Sequence, residues 1–320
     1  MQSVNGDKNL AFEEVRSLDR WPVPAFFYDN VSNFMDKSYL TTGIHSITAS
    51  GLPLEILVDL KAGRPIVFFL NGAVPRSKDV KLPVFAGLSV VPSGEVSRVY
   101  INDPSLYLDQ TLSLGWYAGS SQLNLQKILP DIIAKIIKVA RASKIMFVGG
   151  SGGGFASLYY SRLFYGSLAV PWNPQTNILD YVPVHVENYG KVAFGLNDIG
   201  ASKAQLPNLI DTDLRQLYSS QDSGNYVLYL QNDSDSHVKD HLVPFLIAQG
   251  IESKECDKCL GGLVKHNIYV HMDNWGDGHA QPAKKFLMPL LRNLIGYDKE
   301  WSTLFRDCGI DNLIEKSKNS

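Results

Sequence analysis

A glycine-rich segment around Ser151 constrains the fold of this chain more than any other feature. Residues 145–148 form a short apolar run, IMFV, with a β-branched residue at each end, and glycines follow it directly. Such a run is typical of a strand that is buried on both faces of a parallel sheet. Residues 149–153 read GGSGG, which fits the pattern G-x-S-x-G, and apolar residues at helical spacing come next. The sequence therefore predicts a strand, a sharp turn with a serine, and a helix.

This order of elements is the one that a nucleophile elbow needs. In such an elbow the serine occupies a strained turn, where only small neighbours are tolerated. The following helix directs its N-terminal amides and the positive end of its dipole at the turn, which favours negative charge there. The alternative is a turn that holds a dinucleotide phosphate. That fingerprint fits poorly, because Ser151 stands at one of its three glycine positions and the acidic residue expected about twenty residues later is missing.

The elbow resembles that of the α/β-hydrolase superfamily. As a pattern of strands and helices, the resemblance covers residues 40–296, and it implies an α/β fold with a mostly parallel sheet and helices on both faces. Three short segments are also similar to hydrolase-like proteins encoded with bacterial surface-polysaccharide genes: residues 115–117 (GWY), 173–176 (NPQT) and 275–279 (WGDGH). This second resemblance points to a carbohydrate-linked substrate.

In α/β-hydrolases the catalytic groups follow one another along the chain as serine, acid and histidine. Ser151 matches the serine. The acid belongs to the loop after the predicted strand 226–230, where Asp235 matches the usual position best and Asp233 is the close alternative. His279 lies in the loop after the last predicted strand, where the histidine belongs. The resemblance implies that His279 removes the proton of Ser151 while Asp235 holds the imidazole.

The resemblance also implies an oxyanion hole, in which backbone amides bind the negative charge of the reacting carbonyl group. Gly152, next to the serine, supplies one amide. The second comes from the loop after the predicted strand 65–70, where Gly72 and Ala73 stand. An ordinary Asn-Gly turn is the alternative interpretation of that loop.

Two of the segments shared with the polysaccharide-locus proteins contain candidate substrate-binding residues. Trp116 and Tyr117 are expected in a loop over the site, where aromatic faces could hold a sugar, although packing is the commoner fate of such residues. Asn173 and Gln175 follow a predicted strand. They are expected at the carboxyl end of the sheet, where ligands bind in open α/β folds.

The chain divides into three predicted parts. Residues 1–37 are a polar N-terminal extension, residues 38–296 the hydrolase domain, and residues 297–320 a C-terminal helical tail. Residues 177–222 have helical patterns without strong strands. Insertions at this position form a cap over the nucleophile in α/β-hydrolases, so a small lid is expected there.

Composition excludes some partners. The net charge of −2 and the pI of about 6.4 differ from the basic footprint of a nucleic-acid-binding protein. The N-terminus lacks the pattern of a secretory signal, and no apolar run approaches the roughly 18 residues of a membrane span. We therefore expect a cytoplasmic protein with a small-molecule or glycan ester as substrate. The oligomeric state stays open.

Neither a metal nor a cofactor is expected. Cys256 and Cys259 form a single C-x-x-C, and without a second pair they are expected to be reduced thiols. His237 and His241 lie four residues apart and could share a helical face, as a metal-binding pair does. Because histidines on a helix surface without an acidic third ligand nearby are more often solvated, we expect them to be solvated.

The predicted function is that of a serine hydrolase that transfers acyl groups through a Ser-His-Asp triad. It would act as an esterase or an O-acyltransferase on a small or carbohydrate-linked ester. Two alternatives remain open at this point. One is a catalytically inactive α/β-hydrolase-fold binding protein in surface-polysaccharide biosynthesis. The other is a metal-dependent hydrolase that uses His237, His241 and nearby aspartates.

Overall fold

The structure is a computed structural model, and it describes residues 14–91, 94–220, 223–251, 261–306 and 309–319. Cys256 and Cys259, which are predicted to be reduced thiols, lie outside these ranges. Within the described part of the chain, no helix is both long enough and apolar enough to cross a membrane.

A ten-stranded sheet organises the described residues. Its strands are β1 (Ala25–Tyr28), β2 (Gly43–Ala49), β3 (Leu52–Asp59), β4 (Ile66–Leu70), β5 (Ser97–Ile101), β6 (Ile145–Gly150), β7 (Leu168–Trp172), β8 (Tyr226–Asn232), β9 (Gly262–Lys265) and β10 (Ile268–Asp273). Their order across the sheet is β1-β2-β3-β5-β4-β6-β7-β8-β10-β9. Pairing is antiparallel between β2 and β3, β3 and β5, and β9 and β10. The other pairs are parallel, so the predicted mostly parallel sheet is confirmed.

Helices connect most of the strands. They are α1 (Val31–Met35), α2 (Leu125–Ala140), α3 (Gly152–Ser161), α4 (Pro183–Phe194), α5 (Ile199–Gln205), α6 (Leu214–Ser220), α7 (Val243–Ala248), α8 (Lys284–Ile295), α9 (Trp301–Arg306) and α10 (Gly309–Lys318). Short 3-10 helices lie at Pro104–Tyr107, Ile178–Asp180 and Leu206–Asn208, and a π-helical turn spans Val238–Leu242.

The sheet separates two apolar cores. One core contains buried residues of α2 and α3, and the other contains buried residues of α8, α9 and α10. In β4, Phe68 belongs to the first core, whereas Val67 and Phe69 belong to the second. This alternation follows from strand geometry, since successive side chains point to opposite faces. Helices therefore cover both faces, as the resemblance implied.

The helix α2 shows how local sequence sets the ends of an element. The side chain of Asn124 accepts a hydrogen bond from the amide of Lys127, which caps the first turn. Residues at three- and four-residue spacings, Leu129, Ile132 and Ile136, are buried in the core on one side of the sheet. The helix ends at Ala140, and the residue that caps it, Arg141, has a left-handed φ of 48°. The apolar spacing and the residues at its two ends therefore account for this helix.

Some elements differ from the expectations. Residues 25–28 show no clear period, yet they form β1 and pair with β2 at the edge of the sheet. Residues 238–248 form a π-helical turn followed by α7, with Pro244 in the first turn of α7. Proline fits there because the first turn of a helix does not need its missing N–H. Residues 177–222 are largely helical where the structure describes them.

A buried ion pair ties the start of the described chain to the sheet. The Glu55 side chain in β3 is 0% exposed, and its Oε1 accepts a hydrogen bond from Arg16 Nε at 2.6 Å. Its Oε2 accepts another from the hydroxyl of Tyr107 at 2.5 Å. Burial raises the pKa of Glu55, while Arg16 and Tyr107 act in the opposite direction. The charged form of Glu55 therefore depends on Arg16.

Arg16→Met should lower the free energy of unfolding by about 3 kcal/mol at neutral pH, because it leaves a buried carboxylate without its cation. Urea unfolding measures this loss, which should shrink at lower pH as Glu55 becomes protonated. Lys61→Met is the control, since Lys61 is 38% exposed in its pair with Asp59. That loss should stay below about 1 kcal/mol. Equal losses for the two variants would contradict this account.

Candidate active site

Ser151 lies on the turn between β6 and α3. Its backbone has φ 55° and ψ −120°, a conformation that residues with a side chain rarely adopt. The amide of Ser151 donates to the carbonyl of Trp172 in β7, and its carbonyl accepts from the amide of Phe155 in α3. The predicted sequence of strand, turn and helix is therefore present, with the serine at the strained position.

Glycines surround Ser151 because the turn is packed too closely for side chains. A Cβ atom on Gly150 would lie 1.9 Å from Nε1 of Trp172, and one on Gly153 would lie 2.2 Å from the carbonyl oxygen of Leu70. Both distances are far below van der Waals contact. The glycine-rich sequence thus lets β4 and β7 approach the turn and hold it in place.

Asp235 and His279 form a short hydrogen bond. Nδ1 of His279 donates to Oδ2 of Asp235 at 2.6 Å, and the amide of His237 donates to Oδ1 at 3.0 Å. Burial alone would raise the pKa of Asp235, but these two hydrogen bonds and the charge interactions with His237 and His279 together outweigh it, and the pKa is lowered. With its Nδ1 proton held by a carboxylate, a neutral His279 has Nε2 free to accept a proton.

Ser151 and His279 line the same cavity, which has a volume of about 600 Å³. Their loops follow β6 and β10, and the loop with Asp235 follows β8. Asp233, the alternative acid, is exposed and accepts a hydrogen bond from the side chain of Asn274 at 2.8 Å. Of the two predicted acids, Asp235 is the one that contacts His279.

Three backbone amides are the candidate donors of the oxyanion hole. Gly152 is the first residue of α3, where amides have no acceptor within the helix. The amides of Gly72 and Ala73 have no hydrogen-bond acceptor among the described residues, and both residues line the cavity. Gly72 also packs against the elbow, since a Cβ atom there would lie 3.5 Å from Cβ of Ser151.

The four predicted substrate-binding residues are buried. Trp116, Tyr117, Asn173 and Gln175 are each at most 1% exposed, so their side chains do not form an open surface over the site. The indole of Trp116 donates to Oε1 of Gln175 at 3.0 Å, and Nε2 of Gln175 donates to Oγ of Ser151 at 2.8 Å. Gln175 therefore contacts the serine from the protein interior.

Tyr117 and Asn173 hold loops together. The hydroxyl of Tyr117 accepts from the amide of Asn71, in the loop that continues to Gly72. The side chain of Asn173 donates to the carbonyl of Ala280, next to His279. Their polar atoms are used inside the protein, as buried polar groups require. The predicted loop with aromatic faces over the site is therefore different in the structure, where the rings of Trp116 and Tyr117 are buried in the core.

His237 is a residue whose position the sequence did not predict. Its Nδ1 donates to the carbonyl of Asn173 at 2.9 Å, and the centroid of its ring lies 4.5 Å from the centroid of the His279 ring. Burial lowers the pKa of His237, so the ring is neutral at pH 7. One atom each of Asp235, His237 and His279 lie within 4.8 Å of one another, a spacing that a metal ion could bridge.

His241, the other histidine of the expected metal-binding pair, is buried behind His237. Burial lowers its pKa to about 3, and its Nδ1 accepts a hydrogen bond from the amide of Thr176. Within the described ranges, the possible metal-ligand group contains His237 but not His241. The expectation that His237 and His241 are solvated is wrong, because both pack against the loop that follows β7.

Solved structures similar to this chain include enzymes that transfer or hydrolyse acyl groups. The capsule O-acetyltransferase of Neisseria meningitidis serogroup A is 15% identical over 77% of this chain and 95% of that chain, with a TM-score of 0.55. The acylaminoacyl peptidase of Pyrococcus horikoshii is 12% identical over 89% of this chain and 46% of that chain, with a TM-score of 0.51. The chain has the α/β-hydrolase fold. The fold predicted from the elbow is thus confirmed.

A third similar structure is a chain of the glycosylation-associated protein (Gap123) complex of Streptococcus agalactiae. It is 16% identical over 78% of this chain and 45% of that chain, with a TM-score of 0.52. At such identities these similar structures show the fold alone. No protein-family model matches the chain. No curated protein sequence matches it either.

The hydrogen bond between Asp235 and His279 should make the free energy of unfolding depend on pH. Because the pKa of Asp235 is lowered on folding, its carboxylate stabilises the fold above the unfolded pKa of about 4, and this contribution is lost as pH falls through the folded pKa. Urea unfolding at a series of pH values measures the loss. As the pH is lowered, the free energy of unfolding should fall less for Asp235→Asn and for His279→Ala than for the wild type. Curves parallel to the wild type would contradict this.

Proposed function

We propose that this protein is a serine hydrolase that transfers acyl groups, with Ser151 as nucleophile and His279 as general base. The observation that carries the proposal is the hydrogen bond from His279 to Asp235 beside a cavity that Ser151 also lines. The strained backbone of Ser151 supports it, because strain of this kind concentrates at functional sites. Acetyltransferase and peptidase activities among the similar structures agree with acyl transfer.

The reaction proceeds in two steps. Oγ of Ser151 attacks the carbonyl carbon of an ester while Nε2 of His279 takes the hydroxyl proton, and the imidazolium then gives this proton to the departing alcohol. A water molecule or a sugar hydroxyl attacks the resulting acyl-serine, and its proton passes to His279. Collapse of the second intermediate returns the proton to Oγ. Asp235 keeps Nδ1 of His279 protonated and stabilises the imidazolium.

The amide of Gly152, with that of Gly72 or Ala73, binds the oxyanion in both steps. These amides come from two elements, one from the start of α3 and the other from the loop after β4. Such donors are fixed before the reaction and need no reorganisation as charge develops. Asp235 is the triad acid in this proposal, and Asp233 is not, because Asp235 contacts His279.

The cavity limits the class of substrate. Among the described residues that line it, Lys284 is the only side chain with a permanent charge, and valines and aromatic rings supply much of the wall. A volume of about 600 Å³ lies within the usual range of small-molecule pockets and exceeds the size of an acetyl group. We therefore propose a neutral or anionic ester with an apolar acyl part.

The acyl acceptor is proposed to be a carbohydrate hydroxyl or water. Similarity to a capsule O-acetyltransferase supports a glycan acceptor, and a mutant of that enzyme was solved in complex with CoA, which supports a thioester as the acyl donor here. A panel of p-nitrophenyl esters and acyl thioesters, with and without glycan acceptors, separates hydrolysis from transfer. Acylated glycan without excess hydrolysis identifies a transferase.

A fluorophosphonate probe tests the nucleophile. The wild type should be labelled on Ser151, and Ser151→Ala should lose labelling and ester hydrolysis, because the covalent step needs the hydroxyl. Mass spectrometry of the labelled peptide locates the adduct. An unlabelled, folded wild type would favour a binding protein with this fold. Ester hydrolysis that persists in Ser151→Ala and is abolished by a chelator would instead favour the metal-dependent alternative.

The two candidate acids can be separated by a matched pair of variants. Asp235→Asn should lower kcat for ester hydrolysis by about 10⁴-fold, as loss of the carboxylate leaves the imidazole in the wrong tautomer. Asp233→Asn should retain the wild-type rate, because its carboxylate contacts Asn274 and not His279. Steady-state kinetics measure both. The reverse order of the two effects would assign the role to Asp233.

Gly72→Ala tests the oxyanion hole. The added Cβ atom would lie 2.9 Å from the carbonyl oxygen of Gly150, so the loop must shift away from Ser151. The rate of ester hydrolysis should fall by about 10²-fold, the lower end for loss of one oxyanion donor. Gly261→Ala is the control, since a Cβ atom there meets nothing within 4 Å. A wild-type rate for Gly72→Ala would contradict this role of the loop.

A further inference from the structure

Gln175 touches the oxygen that the proposed mechanism uses as its nucleophile. Its Nε2 lies 2.8 Å from Oγ of Ser151, and its Oε1 lies 3.0 Å from Nε1 of Trp116. Gln175 and Trp116 are at most 1% exposed and lie 59 residues apart in the sequence. Two separate loops thus meet behind the serine, on the side away from solvent.

The orientation of the Gln175 amide follows from the chemistry of its partner. An indole N–H can only donate a hydrogen bond, so the atom that faces Trp116 must be the amide oxygen. The amide nitrogen must then face Ser151. Nitrogen of an amide only donates, and so Oγ of Ser151 is the acceptor in this contact. The hydroxyl proton of Ser151 is left to point in another direction.

Backbone strain supports a fixed position for Trp116. Trp116 and Tyr117 have φ of 52° and 57°, a left-handed conformation that is unfavourable for aromatic residues. The indole packs edge-on against the rings of Tyr181 and Tyr189, at centroid distances of 5.9 and 5.3 Å. Strained conformations persist only where the surrounding structure enforces them. The packing therefore holds the indole N–H against Gln175.

We propose that Gln175 is a catalytic residue that stabilises negative charge on Oγ of Ser151, an inference that rests on the proposed function. As the proton of Ser151 passes to His279, charge develops on Oγ, and the N–H of Gln175 already points at it. When the acyl-serine breaks down, Oγ is the leaving group and the same N–H stabilises it again. This role differs from that of the oxyanion hole, whose amides bind the carbonyl oxygen.

The pH dependence of fluorophosphonate labelling tests this role. Gln175→Leu keeps a similar volume but has no donor, and its labelling rate should fall by about 10- to 100-fold, as expected for loss of a hydrogen bond to a charged group. In Gln175→Glu, only the protonated side chain can donate to Oγ, and the carboxylate opposes charge there. Its rate relative to the wild type should therefore fall as pH rises, which a purely structural role does not predict.

Two further variants separate catalysis from folding. Gln126→Leu is the matched control, because Gln126 is also buried but bonds to the backbone of Asp211. It should lose stability and keep the wild-type labelling rate and pH profile. Trp116→Phe leaves Gln175 in place and removes the N–H that orients it. Its labelling rate should fall while ester binding, measured as KM, stays within about threefold, since the indole lies outside the cavity wall.

The outcomes distinguish this inference from the proposal on which it rests. A labelled wild type with a folded Gln175→Leu variant that reacts at the wild-type rate would overturn the role of Gln175 alone. A parallel pH profile for Gln175→Glu would do the same. A folded wild type that the probe does not label on Ser151 would overturn the proposed function, and the role of Gln175 with it.

Discussion

Close packing of backbone around the turn at Ser151 is the constraint on which the rest of the site depends. The turn is held from one side by the carbonyl of Trp172 and from the other by Leu70, against which Gly153 packs without a side chain. This packing fixes the serine in a conformation that an isolated chain would avoid. It also brings the backbone of Gly72 next to the same turn, whose helical side begins at Gly152.

The sheet explains how distant residues meet there. The strands β4, β6, β7, β8 and β10 are adjacent and parallel, so the loops after them emerge at one edge. Those loops contain Gly72, Ser151, Gln175, Asp235 and His279. Each strand therefore supplies one component of the proposed chemistry. The hydrogen bonds of Gln175 and Asp235 then set the directions of the hydroxyl and the imidazole.

Sequence patterns predicted the parts of the fold that depend on local apolar runs. The central strands follow from continuous apolar runs, and the elbow follows from its glycines. The edge strand β1 could not be found in this way, because only one of its four residues, Tyr28, is buried. The sequence also predicted which loops contain the functional residues, because parallel strands place the loops after their carboxyl ends together.

The sequence could not define what the side chains in those loops contact. Asp233 and Asp235 lie two residues apart, and the turn between them decides which one meets His279. The sequence predicts that Trp116 faces a substrate. In the structure its ring packs inside the protein, where the indole N–H donates to Gln175 of another loop. Such contacts depend on tertiary packing that a single sequence does not encode in any local pattern.

Trapping of the acyl-enzyme is the most direct test of acyl transfer by Ser151. The wild type is mixed with an activated ester, quenched in acid within a turnover and digested, and the peptide that contains Ser151 is weighed by mass spectrometry. The account predicts that this peptide gains the mass of one acyl group and that Ser151→Ala abolishes the gain. Turnover of the ester with no acyl group on Ser151 would contradict the account.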